Sequence, residues 1–240
     1  MVLGAYAIGV FPMADDREAP GVYWVEPKRR AILPLEGFNL SHSLRKTIRA
    51  DRYRVTADTA FQEIIELCAD SAADRPHTWI NRSIERVFGD LHGLGFAHSI
   101  ECWDGDRLVG GLYGLALGQA FFGESMVSRS RDASKVALAW LVARLRVGGF
   151  NLLDCQFQTD HLGSLGAVEI SRRDYLGLLS SAVAGAVEGA LGAPTGAVSV
   201  GGSASLGDFW ALDRVATFGT TKVSAPPDGK LIAQLLVQTS

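Results

Sequence analysis

Several things are scarce in this sequence, and each shortage closes off a class of protein. There are three cysteines in 240 residues, Cys68, Cys102 and Cys155. They are odd in number and far apart, which suits a reduced chain better than a disulfide scaffold. No run of about eighteen uncharged apolar residues exists, so no membrane-spanning helix is expected. The opening MVLGAYAIGVFPMADD has neither a basic start nor a small-residue cleavage site, so a secretory signal is not expected either. His42, His77, His92, His98 and His161 are scattered without H-x-x-x-H spacing, and the cysteines form no C-x-x-C, so no metal site is expected. There is no G-x-S-x-G and no Cys/His pattern for a nucleophile, and Cys155 reads as core. An excess of basic charge is missing as well: 23 Lys and Arg against 26 Asp and Glu leave a formal net charge of −3. A nucleic-acid partner would have to be met by a local patch.

What is present is enough apolar residue, 48% of the chain, for a sizeable core. Residues 2–11 read as a short helix stopped by Pro12. Two short strands, 23–25 and 31–33, flank a basic turn at Lys28, Arg29 and Arg30. Ser41, Asp58, Asn81, Asp132 and Ser171 stand where side chains cap helices, and Gly95 and the Gly148–Gly149 pair stand where helices end. A strand begins at Tyr53. Residues 96–103 and 108–117 form a hairpin about Asp104–Asp106, followed by strands over 119–125, 150–156 and 168–170. A meander, a helix that begins in a basic loop, and then a parallel strand resemble the acetyltransferase-like (GNAT) architecture. The expected class is α+β. A small N-terminal domain (1–57) precedes a GNAT-like mixed-sheet domain (58–180), and an Ala/Gly/Ser-rich tail (181–240) is partly docked or flexible. Phe209–Trp210 and Leu231–Val237 are apolar islands in that tail. Its composition buries little surface per residue, so a chain ending near Gly192 is expected to keep some activity.

Two carboxylates stand out because their neighbours are apolar. Glu124 lies in Phe121-Phe122-Gly123-Glu124-Ser125-Met126, and Asp154 follows Phe150, Leu152 and Leu153. A carboxylate buried there without a partner carries a large desolvation cost. Each is therefore either chemically employed or capping a turn or pairing with a nearby Arg, and residue types alone leave both readings open. Asp154 and Gln156 are two apart, so on a strand they face one side.

The blocks AYAIGVFPM, YWVEPKRRAIL, SLRKTIR, YRVTAD, TWI, LHGLGFAHSIE, LVGGLYG, FFGESM, DASK, DCQ, HLGSLGA and ISRRDYL run in order from about Ala5 to about Leu179. With these the sequence resembles the leucyl/phenylalanyl-tRNA–protein transferases, aminoacyltransferases of the bacterial N-end rule. Asp132 stands where Asn is expected and Val127 where Phe is expected, and the usual Gly-rich segment before AYAIGVFPM is missing. The resemblance implies transfer of Leu, Phe or Met from aminoacyl-tRNA to the N-terminal Arg or Lys of an acceptor protein, for Clp-type proteolysis. It implies a cytoplasmic enzyme with no cofactor, neither metal nor coenzyme A, and a monomer is expected.

By resemblance Asp154 and Gln156 are the catalytic pair. Gln156 would orient the amine or ester, held by Asp154, which would also accept the ammonium proton. Glu124 suits a cationic acceptor. Leu112, Phe121, Met126, Leu141 and Leu153 are candidates for a donor slot too narrow for β-branched side chains. Trp24 and Trp79 are candidates to stack the terminal adenosine of the tRNA. Arg129, Arg131 and Lys135 are candidate phosphate contacts, with Lys28, Arg29, Arg30, Arg45, Lys46 and Arg49 behind them. For each of these the plain alternative is core packing or a solvated surface. The competing enzymatic reading is a GNAT-type N-acetyltransferase using coenzyme A, although SRSRDASK makes a poor pyrophosphate loop. An RNA-binding module would have no use for the Asp154–Gln156 pair.

Overall fold

Strands from both halves of the sequence meet in one sheet. The structure, a computed structural model, describes residues 1–70, 78–190, 206–217 and 227–237. His77 and much of the Ala/Gly/Ser-rich stretch lie outside them. The chain runs α1 (Val2–Ala7), β1 (Phe11–Met13), β2 (Tyr23–Val25), β3 (Arg29–Ile32), α2 (His42–Arg49), β4 (Arg54–Ala57), α3 (Phe61–Ala69), α4 (Arg82–Gly93). It continues with β5 (Ala97–Asp104), β6 (Arg107–Leu117), β7 (Ala120–Ser128), α5 (Ala133–Val147), β8 (Leu152–Gln156), α6 (Asp160–Ser164), β9 (Val168–Ser171), α7 (Arg172–Ala190), α8 (Ala211–Thr217) and α9 (Gly229–Leu235). β1 and β2 form a separate ribbon, and the other strands form a seven-stranded sheet in the order β4-β5-β6-β7-β8-β3-β9. All pairs in that sheet are antiparallel except β7 and β8. A parallel pair needs a crossover, and α5 supplies it. This is the α+β class with a mixed sheet that the sequence implied.

Several local expectations change. Pro12 ends no helix; α1 stops at Ala7, and Pro12 lies in β1 opposite Trp24. A two-stranded ribbon tolerates a residue without an N–H. Arg29 and Arg30 are strand residues, not a turn, because β2 pairs with β1 while β3 leaves to sit between β8 and β9. Asp58 caps nothing on α3; its carboxylate accepts from the Ser99 N–H at 2.7 Å and lies 2.7 Å from His98 Nδ1. Asp132 holds the N-cap position of α5 in the left-handed conformation, φ 63°, without a side-chain cap bond. Ser41, Asn81 and Ser171 do cap, accepting from the N–H groups of Leu44, Ile84 and Asp174.

Helices cover both faces of the sheet. α1, α3, α4 and α7 bury one face, and α2, α5, α8 and α9 bury the other. α5 is apolar on nearly all sides and is buried on nearly all sides. A helix of that kind needs cover away from the sheet as well, and the end of the chain provides part of it. Phe209 packs in the core, with its ring stacked 3.9 Å from His98, and Leu212, Ile232, Ala233 and Leu236 are buried with it. Arg144 of α5 donates to the Phe209 carbonyl and pairs with Asp213, while Arg146 donates to the carbonyls of Leu35 and Leu235.

These contacts dock part of the tail on the body. A chain ending at Gly192 loses five buried side chains of the core, and Phe209→Ala alone should cost about 3–5 kcal/mol. Urea unfolding of the truncated and substituted chains checks this; midpoints equal to that of the full chain would show the islands to be incidental.

Candidate active site

Two one-residue insertions, on neighbouring strands, shape the centre of the sheet. Between β6 and β7 the register passes from Tyr113 opposite Ser125 to Gly114 opposite Gly123, so Glu124 has no partner of its own. Phe121 and Met126, an odd number apart, accordingly pack in the same core. Between β3 and β8 the register passes from Ala31 opposite Gln156 to Ile32 opposite Asp154, which leaves Cys155 extra. Gln156 takes φ 62°, the left-handed region. Such bulges re-aim side chains and end pairing. The β7–β8 pairing indeed ends at Phe122 and Asp154.

Asp154 is fully buried and fully occupied. Arg30 Nη2 lies 2.5 Å from Oδ2 and Arg30 Nε 2.9 Å from Oδ1. Tyr175 donates its hydroxyl to Oδ2 at 2.8 Å, and the Gln156 backbone N–H donates to Oδ1 at 2.8 Å. Arg30 is closed in just as tightly. It donates to the Gly9 carbonyl at 3.1 Å and sits between the rings of Phe11 and Tyr175, 4.5 and 4.6 Å from their centroids. Burial alone would lower the guanidinium's pKa, but the contact with Asp154 raises it on balance. Burial, and then the charge of Asp154, keep the Tyr175 phenol protonated as a donor.

Glu124 differs in kind. One oxygen, Oε1, accepts from the Tyr6 hydroxyl at 2.8 Å and from Gln156 Nε2 at 3.0 Å. The other, Oε2, is buried with no hydrogen-bond partner. Burial pushes the Glu124 carboxyl up from about 4.5 to about 8, against the downward pull of the two donors. The Gln156 side chain is thus held by Glu124, while Asp154 grips only its backbone.

Beside Glu124 lies an apolar cavity of about 230 Å³. It occupies the wedge left where β7 and β8 stop pairing. Leu112, Met126, Leu141 and Leu153 of the donor-slot candidates line it, joined by Leu138 and Leu162. Phe121 does not. It is fully buried elsewhere in the same core, against Phe150 and Phe209. His161 at the rim has its pKa lowered, by burial and then by Lys135, so it is neutral at pH 7. Burial raises the pKa of the Cys155 thiol in the wall, which keeps it un-ionised.

The remaining candidates are dispersed. Trp24 is 43% exposed on β2 and Trp79 is half-buried, and neither lines the cavity. Arg131 is exposed, Arg129 lies 3.9 Å from Asp70, and Lys135 pairs with Asp132 at 3.3 Å. Arg30 is no phosphate contact, because it is the counter-charge of Asp154. Sequence reasoning passed over that role and the two tyrosines. The signals existed: Arg30 opens the apolar run Ala31–Leu33, and Tyr6 sits in an apolar helix, where its hydroxyl needs a partner.

Comparison with known proteins follows the same blocks. A family model described as leucyl/phenylalanyl-tRNA protein transferase matches residues 32–180, and a model of that family's N-terminal domain matches residues 1–28. The leucyl/phenylalanyl-tRNA–protein transferase of Rhizorhabdus wittichii is 62% identical over 100% of this chain and 97% of its own. That of Zymomonas mobilis is 64% identical over 76% of this chain and 68% of its own, and that of Phenylobacterium zucineum 49% over 100% and 96%. Among solved structures, L-PGS from Bacillus licheniformis matches 67% of this chain and 53% of its own, with 11% identity and a TM-score of 0.39. That likeness is too loose to bear on the fold.

Two predictions follow from the buried charges. Arg30→Met strands the Asp154 charge and should cost about 3–5 kcal/mol, whereas Arg30→Met with Asp154→Leu should recover much of that loss. Equal losses in the single and double variants, by denaturant unfolding, would show that the pair is not coupled. For Glu124, the folded state keeps its proton up to about pH 8, while the unfolded chain releases it near 4.5. The folded state binds the extra proton in that window, so stability falls as pH rises through it. Glu124→Gln should flatten that slope in unfolding midpoints taken from pH 5 to 8; an unaltered slope would place the carboxyl's pKa near its ordinary value.

Proposed function

Since this chain belongs to the leucyl/phenylalanyl-tRNA protein transferase family, and so is an aminoacyltransferase, we propose that its cavity takes the Leu, Phe or Met side chain of an aminoacyl-tRNA and that Glu124 receives the N-terminal Arg or Lys of an acceptor protein. The observation that carries this reading is the unpartnered Oε2 of Glu124 at the wall of an apolar cavity, next to the amide of Gln156. A buried carboxylate oxygen with nothing to bind suits a cation. A slot walled by leucines suits an unbranched apolar side chain, and its width excludes β-branched ones. On this reading the product is an N-terminus destined for Clp-type proteolysis, and the enzyme works in the cytoplasm as a monomer.

The chemistry asks little beyond placement. The donor ester is already activated, and an α-amine with pKa near 8 is partly deprotonated at neutral pH. One ammonium proton passes to the ionised fraction of Glu124, whose own pKa of about 8 makes the exchange nearly balanced. The amine nitrogen then bonds to the ester carbon. As the tetrahedral intermediate collapses, the carbon–oxygen bond breaks and a second amine proton goes to the ribose oxygen. Gln156 orients the reactants through its amide and is itself held by Glu124. Asp154 has no oxygen free to take a proton, so it acts as a positioning residue. It fixes Gln156 through the backbone N–H and is fixed in turn by Arg30. Trp24, Trp79, Arg129, Arg131 and Lys135 are left to the RNA, outside the reacting centre.

The deciding assay is transfer of labelled Leu or Phe from its tRNA to a peptide with N-terminal Arg. Absence of transfer, alongside turnover of acetyl-coenzyme A, would overturn the proposal. Glu124→Gln should weaken use of Arg- or Lys-starting peptides and leave aminoacyl-tRNA binding nearly intact. Gln156→Glu removes a donor and places a second carboxylate beside Glu124. Its transfer rate should fall about a hundredfold with the donor still bound. A fully active Gln156→Glu enzyme would instead make residue 156 a base.

A further inference from the structure

α2 carries three cations that the protein's own acids leave alone. Arg45, Lys46 and Arg49 are exposed, and none forms an ion pair among the described residues. α9 lies against this helix, and its start is locked there. The Gly229 N–H donates to Asp51 Oδ1 at 2.7 Å, and Asp228 caps the helix by accepting from the Leu231 N–H at 2.8 Å. A Cβ on Gly229 would stand 1.9 Å from the Ile48 carbonyl oxygen, so only glycine allows the two helices to approach so closely. This contact fixes Lys230, also exposed and without an acid partner, across a groove from Arg45 and Arg49. The groove has a volume of about 300 Å³. It adjoins a second hollow of about 440 Å³ lined by His42, Arg45, Lys46 and Arg49. The two nearby acids, Asp51 and Asp228, already accept backbone N–H groups. On the far side of α2, Ser43 and Thr47 share a third hollow with Arg52, Arg131 and Asp132, where Asp132 pairs with Arg131 at 3.6 Å and with Lys135 at 3.3 Å.

In a chain of net charge −3 this is a cationic track that runs over α2 to α9. We infer that α9, which lies beyond the segment matched by the family model, completes a phosphate-binding groove for the RNA body of the donor. Lys230 faces Arg45 and Arg49 there across one stretch of sugar–phosphate backbone. The inference rests on the proposed function for the identity of the RNA. Lysine and arginine lining a groove with no base-reading aromatic fit contact with phosphates and not with bases.

The test uses the full chain and measures tRNA binding against salt. Lys230 is exposed, so Lys230→Ala and Lys230→Glu should fold normally. Each should weaken tRNA binding several-fold at low salt and reduce the slope of log affinity against log salt by about one. Arg86→Glu, on α4 across the sheet, changes net charge as much as Lys230→Glu and should leave the slope unchanged. A slope unaltered in Lys230→Glu, or lowered equally in Arg86→Glu, would overturn the inference. The two readings fail separately. Label transfer by a Lys230→Glu protein whose slope matches the unsubstituted chain would remove the groove and leave the site standing. A Lys230-dependent slope in a chain that never transfers label would do the reverse.

Discussion

The ion pair between Arg30 and Asp154 is the contact on which the centre of the molecule turns. Removing two charges from water is costly, and their attraction repays it only when every remaining polar atom finds a partner. Here the partners come from all over the chain: a carbonyl after α1, a ring from β1, a hydroxyl from α7 and a backbone N–H from β8. An apolar pair of similar volume would serve stability about as well. What it would not supply is direction. The carboxylate tells the Gln156 N–H where to point, and the guanidinium tells the carboxylate.

That direction matters because the backbone at Gln156 sits in a conformation costing roughly 1–2 kcal/mol for a residue with a side chain. Strain of this kind persists where surrounding bonds over-determine it. The bond from its own N–H to Asp154 is one such bond, and the amide bond to Glu124 is another. With the inserted residue on β7 opposite, the two strands end their parallel pairing and open a wedge. Glu124 and Gln156 on one side and the apolar cavity on the other border that single opening.

Much of this was legible in residue order, and some was not. The hairpin, the capped helices at Asn81 and Ser171 and the crossover through α5 follow from local patterns of period and punctuation. Membership of the family follows from blocks of residues in sequence. Glu124 and Asp154 announced themselves as carboxylates among apolar neighbours, but which one would be sealed and which left open depends on pairing across 124 residues. No local pattern reports that. Arg30 looked like surface charge because it shares a run with Lys28 and Arg29, and only the insertion of β3 between two distant strands turns it inward. Phe121 shares a core with Met126 because a one-residue bulge lies between them, yet it packs against Phe150 and Phe209 away from the cavity, which no spacing rule reports. The average composition of the tail says little about Phe209, Leu212 and Ile232, which help to cover α5, a helix apolar on nearly all sides.

The placement of β3 also fixes the order in which the molecule can assemble. β5, β6 and β7 join neighbours in sequence and can zip early, at little cost in loop closure. β3 must wait. Its two partners are made more than a hundred residues later, so the slot between β8 and β9 stays empty until most of the chain has been synthesised and ordered. β9 has no place in the sheet without β3, so the strand that carries Arg30 closes the sheet together with its edge. A chain in which β3 is not yet seated lacks the Arg30 contact to Asp154, and with it the brace behind the Gln156 backbone.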